Sequence, residues 1–350
     1  MRWRPSWMEA GRKRLPLLVA LALVWPVRAA DRQGPELRLG YFPNITHAQA
    51  LYARATGAFE KAGVRINWIA FNAGPGAMES LLTDAVDATF VGPSPTINAY
   101  IKSRGEKFVI IAGSASGGAG MVVRRDAGIT SDKDFANKVI ATPQLGNTQD
   151  IAARAWLAMK GYRLRERGGN VSLVALSNPD QLNMFKKKQI DGAWTVEPWL
   201  SRLEVEGGGQ MFLEEKELWP GGRYITTHLV MNKSYLAGNR TIVSNLLAAL
   251  VEATQQLNTD RTNAITVLNR QLKKETGRAL QALVIERALS RVELTWDPVC
   301  ASLKSSAEAS YRAGFLRGKP ALEGIYSLSL LDEVLKEKNL SPIEGPTPPR

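Results

Sequence analysis

The chain has 350 residues, 45 Lys and Arg against 33 Asp and Glu, a formal net charge of +12, two histidines and one cysteine. A single cysteine excludes an internal disulfide and, with two histidines, leaves little from which to build a metal site. The length suits two lobes rather than one core, because single cores stop growing at roughly 250 to 300 residues.

Arg2, Arg4, Arg12, Lys13 and Arg14 precede an apolar run from Leu15 to Trp25, and Val27-Arg28-Ala29 places small residues where a signal peptidase reads. A cleaved signal peptide over 1–29 is expected, ending near Ala29 or Ala30, with a soluble periplasmic product. Its removal takes away six basic residues and Glu9, lowering the net charge from +12 to +7. The remainder carries no dense basic stripe interleaved with aromatics, and Lys186-Lys187-Lys188 reads as a solvated helix face, so no nucleic-acid partner is expected. Cys300 lies far from the signal peptide, in a helical pattern, and reads as a small buried hydrophobe.

From Leu37 the pattern alternates between period 2 and period 3.6. Leu37 and Leu39 open a first strand, 40–47 form a loop, and Ala48, Leu51, Tyr52, Ala55 and Phe59 recur at helical spacing up to Gly63. Ile66, Trp68 and Ala70 alternate as a second strand, followed by a loop over 72–76 and a helix marked by Met78, Leu81 and Leu82. A third strand, 88–91, leads through Gly92-Pro93-Ser94-Pro95 into a helix with Ile97 and Tyr100. Strands at 108–112 and 121–124 bracket a glycine-rich turn, 113–120.

After Asp126 the cycle repeats with the strand 139–141, the loop Gly146-Asn147-Thr148-Gln149-Asp150, a helix carrying Ile151, Ala155 and Trp156, the strand 171–176, a helix over 179–188 and the strand 192–196. Glycines at 207–209 and Pro220-Gly221-Gly222 punctuate the exit, and 224–231 reads as a strand returning to the first lobe. Helical patterns then fill 242–257, 264–272, 278–289 and 298–312, before a proline-rich loose tail over 341–350. Such alternation predicts open, mostly parallel sheets covered by helices on both faces.

Five loops stand at the ends of these strands: Pro43 to His47, Gly74-Pro75-Gly76, the Gly92 to Pro95 loop, Gly146-Asn147-Thr148, and Glu197-Pro198. In open α/β sheets ligands bind outside the carboxyl ends of strands, so the loops are expected to share one cleft between the lobes. None contains Lys or Arg, so an anion there is held by backbone N–H groups, hydroxyls and amides, with His47 as the one possible cation. His228 reads as structural.

Motifs for catalysis are absent from the sequence: no GxSxG, HExxH or P-loop pattern and no paired cysteines. Asp150 and Glu197 are the only carboxylates offered as an acid/base pair, and Asp150 fits a first-turn helix position better. No catalytic residue, metal or cofactor is expected.

The stretches GYFPNITHAQAL, FNAGPGAMESLL, VGPSPTINAYIKSRG, IAGSASGGAGMVV, ATPQLGNTQDIAARAWL, DGAWTVEPW and LWPGGRY resemble the periplasmic substrate-binding proteins of ABC importers for aliphatic sulfonates, taurine and nitrate. The resemblance covers about 37–335. It implies a type II periplasmic-binding-protein fold, with lobe 1 formed by 36–124 and 225–340, lobe 2 by 125–224, and crossings near 124–126 and 222–226. It further implies a monomer that closes on its ligand and docks on a permease driven by a separate ATPase.

On the same resemblance Asn44, Thr46, Ser94, Asn147 and Thr148 hold the oxyanion, Ser116 in the 114–118 turn is a further candidate, and Glu197 stands where the family keeps an acidic residue; the loops themselves add His47, Gly76, Gly146 and Trp194 as ligand-binding candidates. Glu197 has two readings: lining the cleft, where its carboxylate favours a zwitterion such as an aminosulfonate, or only capping its helix beside Pro198. A nitrate carrier, a carrier for a thiamine precursor or other heterocycle, and an enzyme of the thiamine-pyrimidine synthase type remain as alternatives, the last opposed by the absence of a cysteine-rich iron motif.

Overall fold

The computed structural model describes residues 35–343. The expected signal peptide lies outside the described residues, as do positions 344–350. Eleven strands form in chain order: β1 (Leu37–Tyr41), β2 (Ile66–Ala70), β3 (Ala88–Val91), β4 (Phe108–Gly117), β5 (Ala119–Arg124), β6 (Val139–Thr142), β7 (Ser172–Ala175), β8 (Gly192–Val196), β9 (Gly209–Glu214), β10 (Ile225–Asn232) and β11 (Val292–Leu294).

They build two sheets, one ordered β2-β1-β3-β10-β4-β11 and one ordered β7-β6-β8-β5-β9. Each repeats a single plan. Three parallel strands, β2-β1-β3 or β7-β6-β8, stand beside a strand antiparallel to them, β10 or β5. Every residue of β3, β8 and β10 is buried, as strands covered on both faces must be.

In the larger lobe one face of the sheet packs on the helices Ala48–Thr56, Arg240–Thr259 and Arg261–Thr276 through Leu39, Leu51, Leu250 and Leu268. The other face packs on Gly74–Leu82, Pro93–Lys102 and Cys300–Arg312 through Met78, Ile97 and Leu303. In the smaller lobe Phe135, Trp156 and Trp194 fill one face, with the Phe135 and Trp156 rings edge to face at 5.0 Å, and Val122, Phe185 and Leu203 fill the other.

The chain passes from the larger sheet to the smaller at Gly117-Gly118, which hold φ of 75° and 70°, and returns between β9 and β10. The lobe boundary expected at 124 therefore moves to 117. β5 pairs along its length with β8 and β9, and Arg124 sits at its far end, bound to Asp126. The expected turn over 113–120 is mostly strand. Gly113 serves close packing, because a Cβ there would lie 2.1 Å from the Asp297 carbonyl oxygen. β9 and β11 were not legible in the sequence. The expected tail begins later than 341, since the Ile343 amide donates to Asp332 and its side chain packs on the core.

The return segment holds a buried carboxylate. Glu215 accepts from Trp194 Nε1 at 2.8 Å and from the Trp219 indole, while burial pushes its carboxyl up to about 7. Between about pH 4.5 and 7 the folded protein keeps a proton that the unfolded chain has released, so this group makes stability fall as pH rises. In urea titrations at pH 5 and pH 8, Glu215→Gln is expected to shrink the stability gap between the two pH values by on the order of 2 to 3 kcal/mol.

Candidate ligand-binding cleft

Both sets of parallel strands point their carboxyl ends at one cavity of about 30 Å³. The β1 end contributes Phe42, Asn44, Thr46 and His47, the β2 end Asn72, Ala73 and Gly74, and the β3 end Gly92 and Pro95. From the smaller lobe come Pro143, Asn147, Thr148 and Gln149 after β6, Asn178 after β7 and Val196 at the end of β8, while Thr226 and Thr227 project from β10.

Five helical segments begin at this wall, at Ile45, Gly74, Pro93, Thr148 and Asn178. The first-turn N–H groups of four of them, and the aligned peptide dipoles, make the space electropositive without a charged side chain, while the Pro93 helix adds no free N–H, since Pro93 and Pro95 carry none, the Ser94 amide reaches Thr148 Oγ1 and the Thr96 amide bonds the Gly92 carbonyl. Proline in the first turn of the Gly74, Pro93 and Asn178 helices fits where no intrahelical N–H bond is needed.

The polar side chains are biased toward donation. Asn44 Oδ1 accepts from Thr46 Oγ1 at 2.7 Å, leaving the Asn44 amide nitrogen uncommitted. Asn147 Oδ1 caps its helix by accepting from Asp150 N at 3.0 Å, and Asn147 Nδ2 donates to Gln149 Oε1 at 3.2 Å, which leaves Gln149 Nε2 as a donor. Asn178 Oδ1 accepts from Thr195 Oγ1 at 3.1 Å, freeing the Asn178 amide N–H groups. An intramolecular donor therefore occupies the amide oxygens of Asn44, Asn147, Gln149 and Asn178 while N–H groups of Asn44, Gln149 and Asn178 remain available.

None of the lining residues is Lys, Arg, Asp or Glu. His47 lines the cavity but is not a cation. Its Nδ1 accepts from the Phe42 amide at 3.2 Å, its ring stacks on Phe42 at 4.3 Å, and burial lowers its pKa to about 3.

Asn44, Thr46, His47, Asn147 and Thr148 are thus brought together as expected lining residues, and six others are not. Gly76 faces open space inside its helix. Ser116 lies in the β4 ladder opposite Ile225 and Glu293. The Ser94 amide reaches Thr148 Oγ1 at 3.4 Å, but Ser94 is outside the lining. The Gly146 amide donates to Asp150 Oδ2 at 2.9 Å. Trp194 is fully buried in the aromatic core of the smaller lobe.

Glu197 changes the chemistry most. It is fully buried, accepts from the Ser201 amide at 3.1 Å and hydroxyl at 2.9 Å, and meets Arg291 Nη1 at 3.1 Å. Burial still pushes its carboxyl up to about 7. Arg291 also pairs with Glu204 at 2.6 Å and Glu214 at 3.4 Å, so this carboxylate belongs to an ion network joining the lobes. Asp150 is likewise held, by Thr142, Gly146 and Arg154. Of the two readings of Glu197, the one with its carboxylate lining the cleft is corrected: it is buried opposite a guanidinium, bonded to Ser201 in the helix that follows, and outside the cavity lining.

Among the lining residues that the sequence reading passed over, Asn178 had a visible signal. Ser177-Asn178-Pro179-Asp180 after a strand is a helix-start pattern. Phe42, Thr226 and Thr227 had none, because nothing local says which strand residues face a cleft.

The arrangement defines a two-lobed α/β protein of the periplasmic-binding-protein fold, with its cleft at opposed strand ends. The chain belongs to the NMT1-like family, whose profile matches residues 30–270. It is 26% identical over 198 residues to a putative aliphatic sulfonates-binding protein of Bacillus subtilis, a match spanning 55% of this chain and 57% of that relative. It is 23% identical to the taurine-binding periplasmic protein of Escherichia coli, over 69% of this chain and 71% of the relative. The alkanesulfonate-binding protein of Xanthomonas axonopodis pv. citri, solved with bound MOPS, superposes with a TM-score of 0.70 at 19% identity, covering 84% of this chain and 98% of that one.

Across the mouth the lobes touch at Gly92, where a Cβ would lie 2.5 Å from Thr148 Oγ1. A single added methyl could be met by rotating the Thr148 hydroxyl, whereas a branched side chain could not. Gly92 has φ of −74° and ψ of 162°, which any residue adopts. Gly92→Val is therefore expected to fold with a melting temperature within a few degrees of wild type while holding the lobes apart, seen as a larger radius of gyration in small-angle scattering. An unchanged radius would show that this contact does not limit closure.

Proposed function

We propose that the chain is an extracytoplasmic solute receptor that binds a small sulfonate-like anion between its two lobes and delivers it, as a monomer, to the permease of an ABC importer. The observation that carries this reading is the lining: free amide donors and five helix starts, with no charged side chain. Such a site neutralises a compact monoanion by oriented N–H groups and lets it go again, as a carrier must. The names of the Bacillus, Escherichia and Xanthomonas relatives support the same class of ligand. Export to the periplasm is part of the proposal, and no helix among the described residues is long and apolar enough to cross a membrane.

Phe42, Pro95, Pro143 and Val196 give the cavity an apolar side, which suits a short alkyl group and has no counterpart in nitrate. A heterocycle is disfavoured because Phe42, the one Phe, Tyr or Trp ring in the lining, already has a face covered by His47. No reaction is part of the proposal. An ammonium group would meet no carboxylate in the lining, so plain alkanesulfonates fit better than taurine-type compounds.

In a thermal-shift and calorimetric panel, ethanesulfonate is expected to stabilise the protein and to bind at least tenfold more tightly than taurine. Asn44→Ala and Asn178→Ala, one on each lobe, are each expected to weaken ethanesulfonate by about 1.5 to 3 kcal/mol, the range for a hydrogen bond to a charged group. Stabilisation by pyrimidines alone, or turnover of any compound, would overturn the proposal.

A further inference from the structure

Apart from the crossings, the Gly92–Thr148 contact and the Arg291 network, the lobes meet at one further place. After the helix Cys300–Arg312 of the larger lobe, the chain turns at Gly314, with φ of 85°, and presents Phe315 to the smaller lobe. The Phe315 ring lies against Gly146, so closely that a Cβ on Gly146 would be 3.1 Å from it. The Arg154 guanidinium stacks over the same ring, 5.5 Å from its centroid. Arg154 is itself fixed by Asp150 at 2.9 Å and Glu166 at 2.6 Å, and Asp150 holds the Gly146 amide. One residue before Gly314, the Ala313 carbonyl accepts from Arg167 Nη2 of the smaller lobe at 3.0 Å.

We propose that the 313–315 turn is a clasp, with Phe315 as a positioning residue that seats the Gly146 to Asp150 loop at the closed cleft without touching the ligand. Phe315 is outside the cavity lining, yet it rests on the residue that opens the loop whose next members, Asn147 and Thr148, are in it. Because the turn and its seat belong to different lobes, the contact forms with closure and is lost with opening. A contact made only in the closed state raises the closed fraction, and apparent affinity scales with that fraction. The ring supplies a flat apolar face for Gly146 and a π-face for Arg154, two roles no aliphatic side chain fills together. Gly146 suits its place on both counts, since its φ is 75° and a Cβ there, 3.1 Å from the ring, would require the ring to move back by a few tenths of an ångström.

The proposal rests on the cleft's opening and closing, and not on the identity of the ligand. Its test has one readout without ligand and one with it. Small-angle scattering of the unliganded protein compares wild type with Phe315→Ala, Phe315→Tyr and Arg167→Ala, and titration with methane-, ethane- and butanesulfonate follows. Phe315→Ala is expected to shift unliganded scattering toward the extended form and to weaken ethanesulfonate about tenfold, with the order of the three sulfonates unchanged. Arg167→Ala should move both readouts in the same direction by less, and Phe315→Tyr should restore both.

Unliganded scattering of Phe315→Ala identical to wild type would overturn the clasp, as would an altered order of sulfonates, which would place the residue in ligand contact. If none of the sulfonates binds wild type, the functional proposal fails, and the scattering comparison still decides the clasp.

Discussion

The structure depends on two stretches of chain crossing between the sheets side by side. At Gly117-Gly118 the chain leaves the larger sheet, and at 215–224 it comes back. The Gly117 amide donates to the Tyr224 carbonyl, Thr226 Oγ1 donates to the Gly117 carbonyl, and the Ala119 amide reaches Tyr224 Oη. The Glu197 amide adds a bond to the Gly118 carbonyl. With both crossings tied together, the two sheets are held with the carboxyl ends of β1, β2, β3 and of β6, β7, β8 at one cavity. Helix starts, donors and cleft all follow from that arrangement. A pair of glycines, the residue that takes positive φ at least cost, supplies the reversal.

Charge is distributed so that the cavity has none. The two acidic residues next in sequence to its wall are paired elsewhere, Glu197 after Val196 with Arg291 inside the inter-lobe network and Asp150 after Gln149 with Arg154. A buried carboxylate without such a partner would carry a large desolvation penalty, which is why these two are paired or hydrogen-bonded on every side. What Asn44, Gln149 and Asn178 leave for a ligand is a set of N–H groups whose own amide oxygens are already engaged. A site of this kind recognises by direction rather than by net charge, because each donor is fixed by the hydrogen bond its own amide oxygen accepts.

Glycine means different things along the chain. Gly117 and Gly118 turn it, Gly92 lets Thr148 approach from the other lobe, Gly113 lets the Asp297 carbonyl approach, and Gly146 accommodates both a positive φ and the Phe315 ring. In the sequence these positions look alike. Only the neighbour that arrives from elsewhere in the chain separates a turn from a close approach, and reading 113–120 as one glycine-rich turn therefore misplaced the boundary between lobes.

The amino-acid sequence by itself determined the alternation of strands and helices, the strands β3 and β8, the helix start at Thr148, and the placing of Asn44, Thr46, Asn147 and Thr148 in loops at strand ends. These are local matters of period, capping and proline geometry, and they are written within a few residues of where they act. Tertiary structure alone decided that β5 belongs to the smaller sheet, that β9 and β11 exist, that His47 is a neutral wall and that Glu197 faces Arg291 instead of the cavity. The strand pairings and the Arg291 partner lie tens of residues away, and the burial that keeps His47 neutral comes from the fold around it; pairing, burial and ion partners of that kind leave no periodic trace in the chain.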